Sequence, residues 1–135
     1  MLEQLFVDTG YVIALINEND RNHGQALALA DKYDGYPLVT TDTVLLEIGN
    51  ALSRIGRSQA VEIINYFQQA AEVTLVHLNP MLFRAAVRMF EQYTDKTWGL
   101  VDCVSFLVMR EMKITAVLGF DRHFVQAGFR LLEDT

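Results

Sequence analysis

The sequence predicts an α/β fold in which helices cover both faces of a mostly parallel β-sheet. Two observations support this fold class. Short segments such as Leu5–Val7 and Thr115–Leu118 are apolar without alternation, as in strands that are buried on both faces. The segments between them are longer and repeat their apolar residues at helical spacing, so that strands and helices alternate along the chain.

The strands are short apolar runs bounded by polar, Gly or Pro positions. The first run, LFV, ends at an acidic residue, and the run PLVT begins at one of only two prolines in the chain. VTLVHL and TAVL are rich in β-branched residues, which favour strands. We expect strands at Leu5–Val7, Pro37–Thr40, Val73–Leu78 and Thr115–Leu118, and a fifth at Phe129–Leu132.

The helices follow from periodicity and from residues suited to helix ends. Asp20–Tyr33 has apolar side chains on one face, and Pro80 suits the first turn of a helix. Leu100–Met112 is apolar almost all round, which predicts a buried helix. We expect helices at Tyr11–Ile16, Asp20–Tyr33, Thr43–Ile55, Ser58–Ala70, Pro80–Tyr93 and Leu100–Met112.

Length and composition fit one globular domain. The chain has 135 residues, of which 51% are apolar and 21% charged, enough for a single core. A lone cysteine, Cys103, is compatible with a reducing compartment. The amino terminus lacks the features of a secretion signal, and no apolar run approaches the length of a membrane span. We therefore expect a soluble, cytoplasmic protein with no membrane association.

Four acidic residues stand out because of their positions. Asp8 directly follows the first strand and Asp121 follows the TAVL strand by three residues, where ligands gather in parallel sheets. Asp102 interrupts the most apolar helix. Glu47 shares a narrow polar stripe with Asn50 on a helix that is otherwise apolar. A buried carboxylate loses hydration, so each acid needs a cation, a partner or its neutral form.

Each acid also has a simpler explanation. Asp8 and Asp121 could cap the turns that follow them, since Asp is favoured at helix N-termini. Glu47 could face solvent and pair with Arg54, and Asp102 could pair with a cation inside the fold. No single residue decides between the two interpretations. The four acids taken together favour a shared site.

A shared acidic site predicts a hard divalent cation. Mg²⁺ and Mn²⁺ prefer oxygen ligands, and several carboxylates placed close together cannot all ionise without a cation. Such an ion can activate water for phosphodiester hydrolysis, and it would let a protein of net charge −6 accept a nucleic-acid backbone. Cys103 and three scattered histidines do not form a zinc motif. His123 is expected to be structural, because hydrolysis of this kind needs no imidazole.

The chain resembles the PIN-domain family, and within it the toxin ribonucleases of VapC type. The matching segments are LFVDTG, TTDTVLLEIGNAL, WGLVDCVSF and VLGFDRHF, which contain Asp8, Glu47, Asp102 and Asp121 in that order. Their order and spacing agree with the family from end to end. The resemblance implies a three-layer α/β/α sandwich with a central parallel sheet, formed by one nuclease domain over residues 1–135.

The resemblance also implies a function for the four acids. Their counterparts in the family form the catalytic and metal-binding cluster of an endoribonuclease that uses Mg²⁺ or Mn²⁺. Thr9 is a secondary candidate because the matching family residue assists through its hydroxyl or backbone, and Asn50 could hydrogen-bond a carboxylate. Toxins of this type act on RNA, pair with a small antitoxin and commonly form homodimers.

One position departs from the family pattern and keeps an alternative open. Gly119 stands where family members often have Ser or Thr, two residues before the last acid, so a hydroxyl that could orient water is missing. The alternative is a catalytically weak or inactive PIN-like module that binds RNA or a protein partner. A phosphotransferase with Asp8 as its nucleophile is disfavoured, because such enzymes usually need a second Asp where this chain has Gly10.

Overall fold

The computed structural model describes residues 1–134, and the sheet it contains is entirely parallel. Its strands are joined in the order β3-β2-β1-β4-β5, so the first strand lies at the centre. This confirms the predicted α/β class and the three-layer α/β/α arrangement. The strands are β1 (Leu5–Val7), β2 (Leu38–Thr41), β3 (Val73–Val76), β4 (Ala116–Leu118) and β5 (Arg130–Leu131).

Seven helices are described, and none of those within residues 1–134 is both long and apolar enough to cross a membrane. The predicted helix at Leu100–Met112 has the same bounds in the structure, and the others agree to within a few residues. The helices are α1 (Thr9–Ile16), α2 (His23–Lys32), α3 (Asp42–Leu52), α4 (Arg57–Gln69), α5 (Pro80–Gln92), α6 (Leu100–Met112) and α7 (His123–Gln126).

The register of the central strands places the ends of β1 and β4 side by side. Val7 pairs with Leu118, and the backbone N–H of Asp8 donates to the carbonyl of Leu118 at 3.0 Å. Both strands are fully or almost fully buried, as their continuous apolar sequences predict. The chain therefore leaves the sheet at two adjacent points, and acidic residues follow at both.

An aromatic cluster beneath these strand ends fixes α6 against α7. The ring of Phe106, in the buried face of α6, lies 5.0 Å from that of Trp98 and 5.1 Å from that of Phe124, both edge-on. Edge-to-face pairs of this kind are favourable beyond the area that they bury. The cluster holds the start of α6, with Asp102, beside the turn that carries Asp121.

The structure corrects several details of the sequence prediction. Helix α7 was not predicted as an element, because four residues are too few to show a periodicity. Leu46 and Ile55, assigned to the apolar side of their helix, are 68% and 62% exposed. Helix α2 begins at His23 rather than Asp20, because the Asp20 carboxylate accepts the backbone N–H of Asn22 and forms a turn there.

Candidate metal centre

An open cleft of about 670 Å³ at the carboxyl edge of the sheet is lined by all four acids. The secondary candidates from the sequence line the same cleft, so the residues singled out earlier are brought together. A larger groove, of about 850 Å³ between α5 and α6, contains none of them. The cleft is lined by Asp8, Thr9, Gly10, Ile13, Glu47, Asn50, Ala51, Asp102 and Asp121.

Asp8 is the buried member of the group, with only 8% of its surface exposed. It occupies the N-cap position of α1, but its side chain makes no capping hydrogen bond. The simpler explanation of Asp8 as a helix cap therefore fails. The burial of its carboxyl group must therefore be explained by the other groups that line the cleft.

Burial raises the pKa of Asp8 from 3.8 to about 7, because the ionised form loses hydration. The backbone N–H of Thr9 acts in the opposite direction. The charges of Asp102, Glu47 and Asp121 raise the pKa further. These contributions agree with the location of the four acids around one cleft.

Glu47 is oriented by a hydroxyl from across the cleft. The Thr9 hydroxyl donates to Oε1 of Glu47 at 2.6 Å, so the first residue of α1 holds a side chain from the middle of α3. Among the described residues, no ion pair joins Glu47 to Arg54. Glu47 is thus directed into the cleft rather than into a surface salt bridge.

Asp102 and Asp121 form the tightest group in the cleft, together with His123. One ligand atom of each of the three lies within 4.8 Å of the others. Asp102 lies in the first turn of α6, where its Oδ2 accepts the backbone N–H of Gly99 at 3.1 Å. Asp121 caps the turn before α7, because its Oδ1 accepts the backbone N–H of His123 at 2.9 Å. The capping explanation of Asp121 therefore holds alongside its place in the cleft.

His123 lies closer to the acidic cluster than the sequence indicated. Its Nδ1 lies 3.0 Å from Oδ2 of Asp102 and 3.3 Å from Oδ1 of Asp121, so the ring contacts two of the four acids. The spacing Asp-x-His in DRHF was the available signal. It does not reveal the contact with Asp102, which lies 21 residues earlier in the chain.

The departure at Gly119 has a steric explanation. A Cβ atom at this position would lie 3.1 Å from Cβ of Asp8 and 3.6 Å from its Oδ2. Such a contact is tighter than almost all real Cβ contacts. The absence of a side chain at position 119 therefore gives Asp8 the space that it occupies.

The arrangement of the oxygen atoms suits a hard divalent cation. Oε1 of Glu47, Oδ2 of Asp102 and Oδ1 of Asp121 accept hydrogen bonds from protein donors. Within residues 1–134, the second oxygen of each of these three carboxylates has no protein donor. These oxygens and the carboxyl group of Asp8 line one cleft, and oxygen ligands are those that hard divalent cations prefer. Within residues 1–134, only Asp102, Asp121 and His123 bring three possible ligand atoms within 4.8 Å of one another.

Comparison with known proteins agrees with this geometry. A profile of the PIN domain matches residues 5–130, which is nearly the whole chain. The chain belongs to the PIN-domain family. Its similarity to the VapC-type toxin ribonucleases of that family, expected from the four acidic motifs, is confirmed.

Two similar proteins and one solved structure are the basis for this similarity. The 23S rRNA-specific endonuclease VapC20, from two strains of Mycobacterium tuberculosis, is 32% identical over 127 residues, covering 93% of this chain and 95% of VapC20. The crystal structure of Mycobacterium tuberculosis VapC20, described as a toxin that cleaves the sarcin–ricin loop, matches with a TM-score of 0.86. The two chains are 29% identical in that comparison, which covers 96% of this PIN-domain chain and 98% of VapC20.

The raised pKa of Asp8 predicts how stability depends on pH in the absence of metal. Between about pH 4 and pH 7 the folded protein holds a proton that the unfolded chain has lost, so the free energy of unfolding falls as pH rises. Asp8→Asn cannot ionise and should be more stable than the wild type at pH 7.5 by roughly 2–4 kcal/mol. Urea unfolding in EDTA at several pH values measures this difference, which should shrink towards pH 4. A difference that does not change with pH would contradict the assignment.

The close approach at position 119 predicts the effect of adding one methyl group. Gly119→Ala should lower the free energy of unfolding by about 1–2 kcal/mol, because the new Cβ crowds Asp8. Gly24→Ala is the matched control, since Gly24 lies in α2 with no atom within 4 Å of an added Cβ. The free energy of unfolding of this control should be unchanged or should rise by up to about 1 kcal/mol. Urea unfolding of both variants measures these changes. An unchanged or higher stability of Gly119→Ala would refute the steric explanation.

Proposed function

We propose that this PIN-domain protein is a metal-dependent endoribonuclease, acting as the toxin of a toxin–antitoxin pair. The observation that carries the proposal is the convergence of four carboxylates on one cleft, with an oxygen of at least three directed to no protein donor. The similarity to VapC20 over almost the whole chain supports the same reaction class. The proposal assigns catalytic and metal-binding roles to Asp8, Glu47, Asp102 and Asp121.

The chain's own groups account for most of what such a site requires. Asp8, Glu47 and Asp102 would hold Mg²⁺ or Mn²⁺, with Asp121 completing the cluster. When bound, the ion supplies an activated water and compensates the charge that develops on the phosphodiester. The Thr9 hydroxyl fixes the orientation of Glu47, and burial of Asp8 keeps its carboxyl group away from bulk water. Asn50, exposed at the rim of the cleft, is placed to donate to the RNA.

The substrate we propose is structured ribosomal RNA. VapC20, the similar toxin, is specific for 23S rRNA and cleaves the sarcin–ricin loop. We expect a looped strand to reach the carboxylates of this open cleft, because its splayed bases and backbone are more accessible than those of a duplex. The net charge of −6 means that RNA affinity depends on the cation rather than on a basic surface.

We propose two protein contacts for the toxin. A small antitoxin would pair with this protein, as is general for VapC-type toxins, and would cover the acidic cleft. A second copy of the chain would cover apolar side chains that α5 leaves exposed, because several such side chains on one helix mark an interaction surface more often than a single exposed one does. They are Met81, Phe83, Val87 and Phe90.

Removal of one proposed ligand tests the function directly. Asp102→Asn keeps the size of the side chain but removes its charge, so cleavage of an RNA containing the sarcin–ricin loop should fall at least about 100-fold. Asp31→Asn, an exposed change on α2, is the matched control and should cleave as the wild type does. Single-turnover cleavage with Mg²⁺ or Mn²⁺ gives the rates, and circular dichroism checks the fold.

Two outcomes would count against the proposal. If Asp102→Asn cleaved RNA at the wild-type rate, the cleft would not be the active site. If the wild type bound RNA but cut none of several defined RNAs, the catalytically weak or inactive binding module would replace the nuclease.

A further inference from the structure

The ring of His123 contacts two of the proposed ligands, and its Nδ1 is hydrogen-bonded to one of them, Asp102. Its Nδ1 is 3.0 Å from Oδ2 of Asp102 and 3.3 Å from Oδ1 of Asp121. An ionised carboxylate can only accept hydrogen bonds, so Nδ1 carries the hydrogen in this arrangement. One ring nitrogen is therefore hydrogen-bonded to an acid on α6 and lies 3.3 Å from an acid in the turn before α7.

The opposite side of the ring is also fixed. Nε2 of His123 forms a hydrogen bond of 3.0 Å with the hydroxyl of Thr97. The next residue, Trp98, donates through Nε1 to Oε1 of Gln126 at 2.9 Å. Two hydrogen bonds thus join the loop before α6 to α7. The ring of His123 cannot turn without breaking its bond to Thr97.

These contacts divide the oxygens of each acid into one that is anchored and one that is free. Oδ2 of Asp102 accepts from the backbone of Gly99 and from the His123 ring. Oδ1 of Asp121 accepts from the backbone of His123 and lies 3.3 Å from the same ring nitrogen. Within residues 1–134, Oδ1 of Asp102 and Oδ2 of Asp121 have no protein donor.

We propose that His123 is a positioning residue that holds Asp102 and Asp121 so that each presents its free oxygen to the cation. The inference rests on the proposed function, because it concerns the same metal centre. His123 neither binds the cation nor takes part in the reaction. It fixes the separation and orientation of two ligands from different elements, and Thr97 fixes His123.

Direct ligation by His123 is the competing interpretation, since the ring nitrogen lies within 4.8 Å of oxygens of both acids. A metal-bound nitrogen must offer a lone pair. In this arrangement the hydrogen of Nδ1 is directed to Oδ2 of Asp102, and Nε2 forms a hydrogen bond with the hydroxyl of Thr97. Neither ring nitrogen is therefore free to bind a cation.

Calorimetric titration with Mn²⁺ tests this role without relying on catalysis. His123→Ala removes the ring nitrogen that is bonded to Asp102. The variant should bind Mn²⁺ about 10–100-fold more weakly, as is typical when a group that orients metal ligands is lost. His123→Asn keeps an N–H donor near the position of Nδ1 and should restore most of the affinity. Thr97→Val keeps the imidazole but removes the hydrogen bond that fixes the ring. This variant should therefore lose less Mn²⁺ affinity than His123→Ala does.

His77→Ala is the matched control. Nδ1 of His77 also contacts an aspartate, Oδ2 of Asp42 at 3.2 Å, but neither residue lines the acidic cleft. This variant should bind Mn²⁺ as the wild type does. Pulsed electron paramagnetic resonance of the Mn²⁺ complex gives a second readout, and no directly coordinated ¹⁴N should be seen in the wild type.

The outcomes separate this inference from the proposed function. A wild-type protein that binds no Mn²⁺ would overturn both. Normal Mn²⁺ binding by the wild type with equal or tighter binding by His123→Ala would overturn only the positioning role. A ¹⁴N signal from a bound imidazole, lost in His123→Ala, would show that His123 is itself a ligand. Weak binding by His123→Ala that His123→Asn restores would support the proposal.

Discussion

The burial of one carboxyl group beside three others is the constraint on which the site depends. Asp8 is held at the end of the central strand, where burial and neighbouring negative charges both disfavour its ionised form. A fold selected only for stability would place an apolar or neutral residue there. A cation bound in the cleft, as proposed, would offset this cost, so that metal affinity and the stability of the metal-free protein would be linked through the same group.

The rest of the structure makes this arrangement possible. Parallel pairing brings the ends of β1 and β4 together, and Gly119 leaves room for Asp8 beside them. The aromatic contacts of Phe106 lock α6 against α7 beneath the cleft. His123 then contacts Asp102 on α6 and Asp121 in the turn before α7. Three of the four acids, Glu47, Asp102 and Asp121, are thus each oriented by a hydrogen bond from the protein, which is what a precise metal site would require.

The sequence predicts those features that are encoded locally. The apolar run that ends at Asp8 identifies a buried strand with an acid at its carboxyl end. Asp102 can be recognised in the same way, because it is an isolated acid in the apolar sequence of α6. The role of His123 is not visible, because it depends on contacts with residues 21 and 26 positions away. Periodicity also cannot tell whether an apolar side chain such as Leu46 faces a core or a solvent-exposed surface.

The location of Mn²⁺ in crystals soaked with the ion tests the central claim most directly. We expect an anomalous scattering peak in the cleft within about 2.4 Å of carboxylate oxygens from at least Asp8 and Asp102, at distances typical of hard cations. Glu47 and Asp121 should contact it directly or through water. A peak held by Asp102 and Asp121 without Asp8, or found only outside the cleft, would contradict the claim that the four acids share one cation.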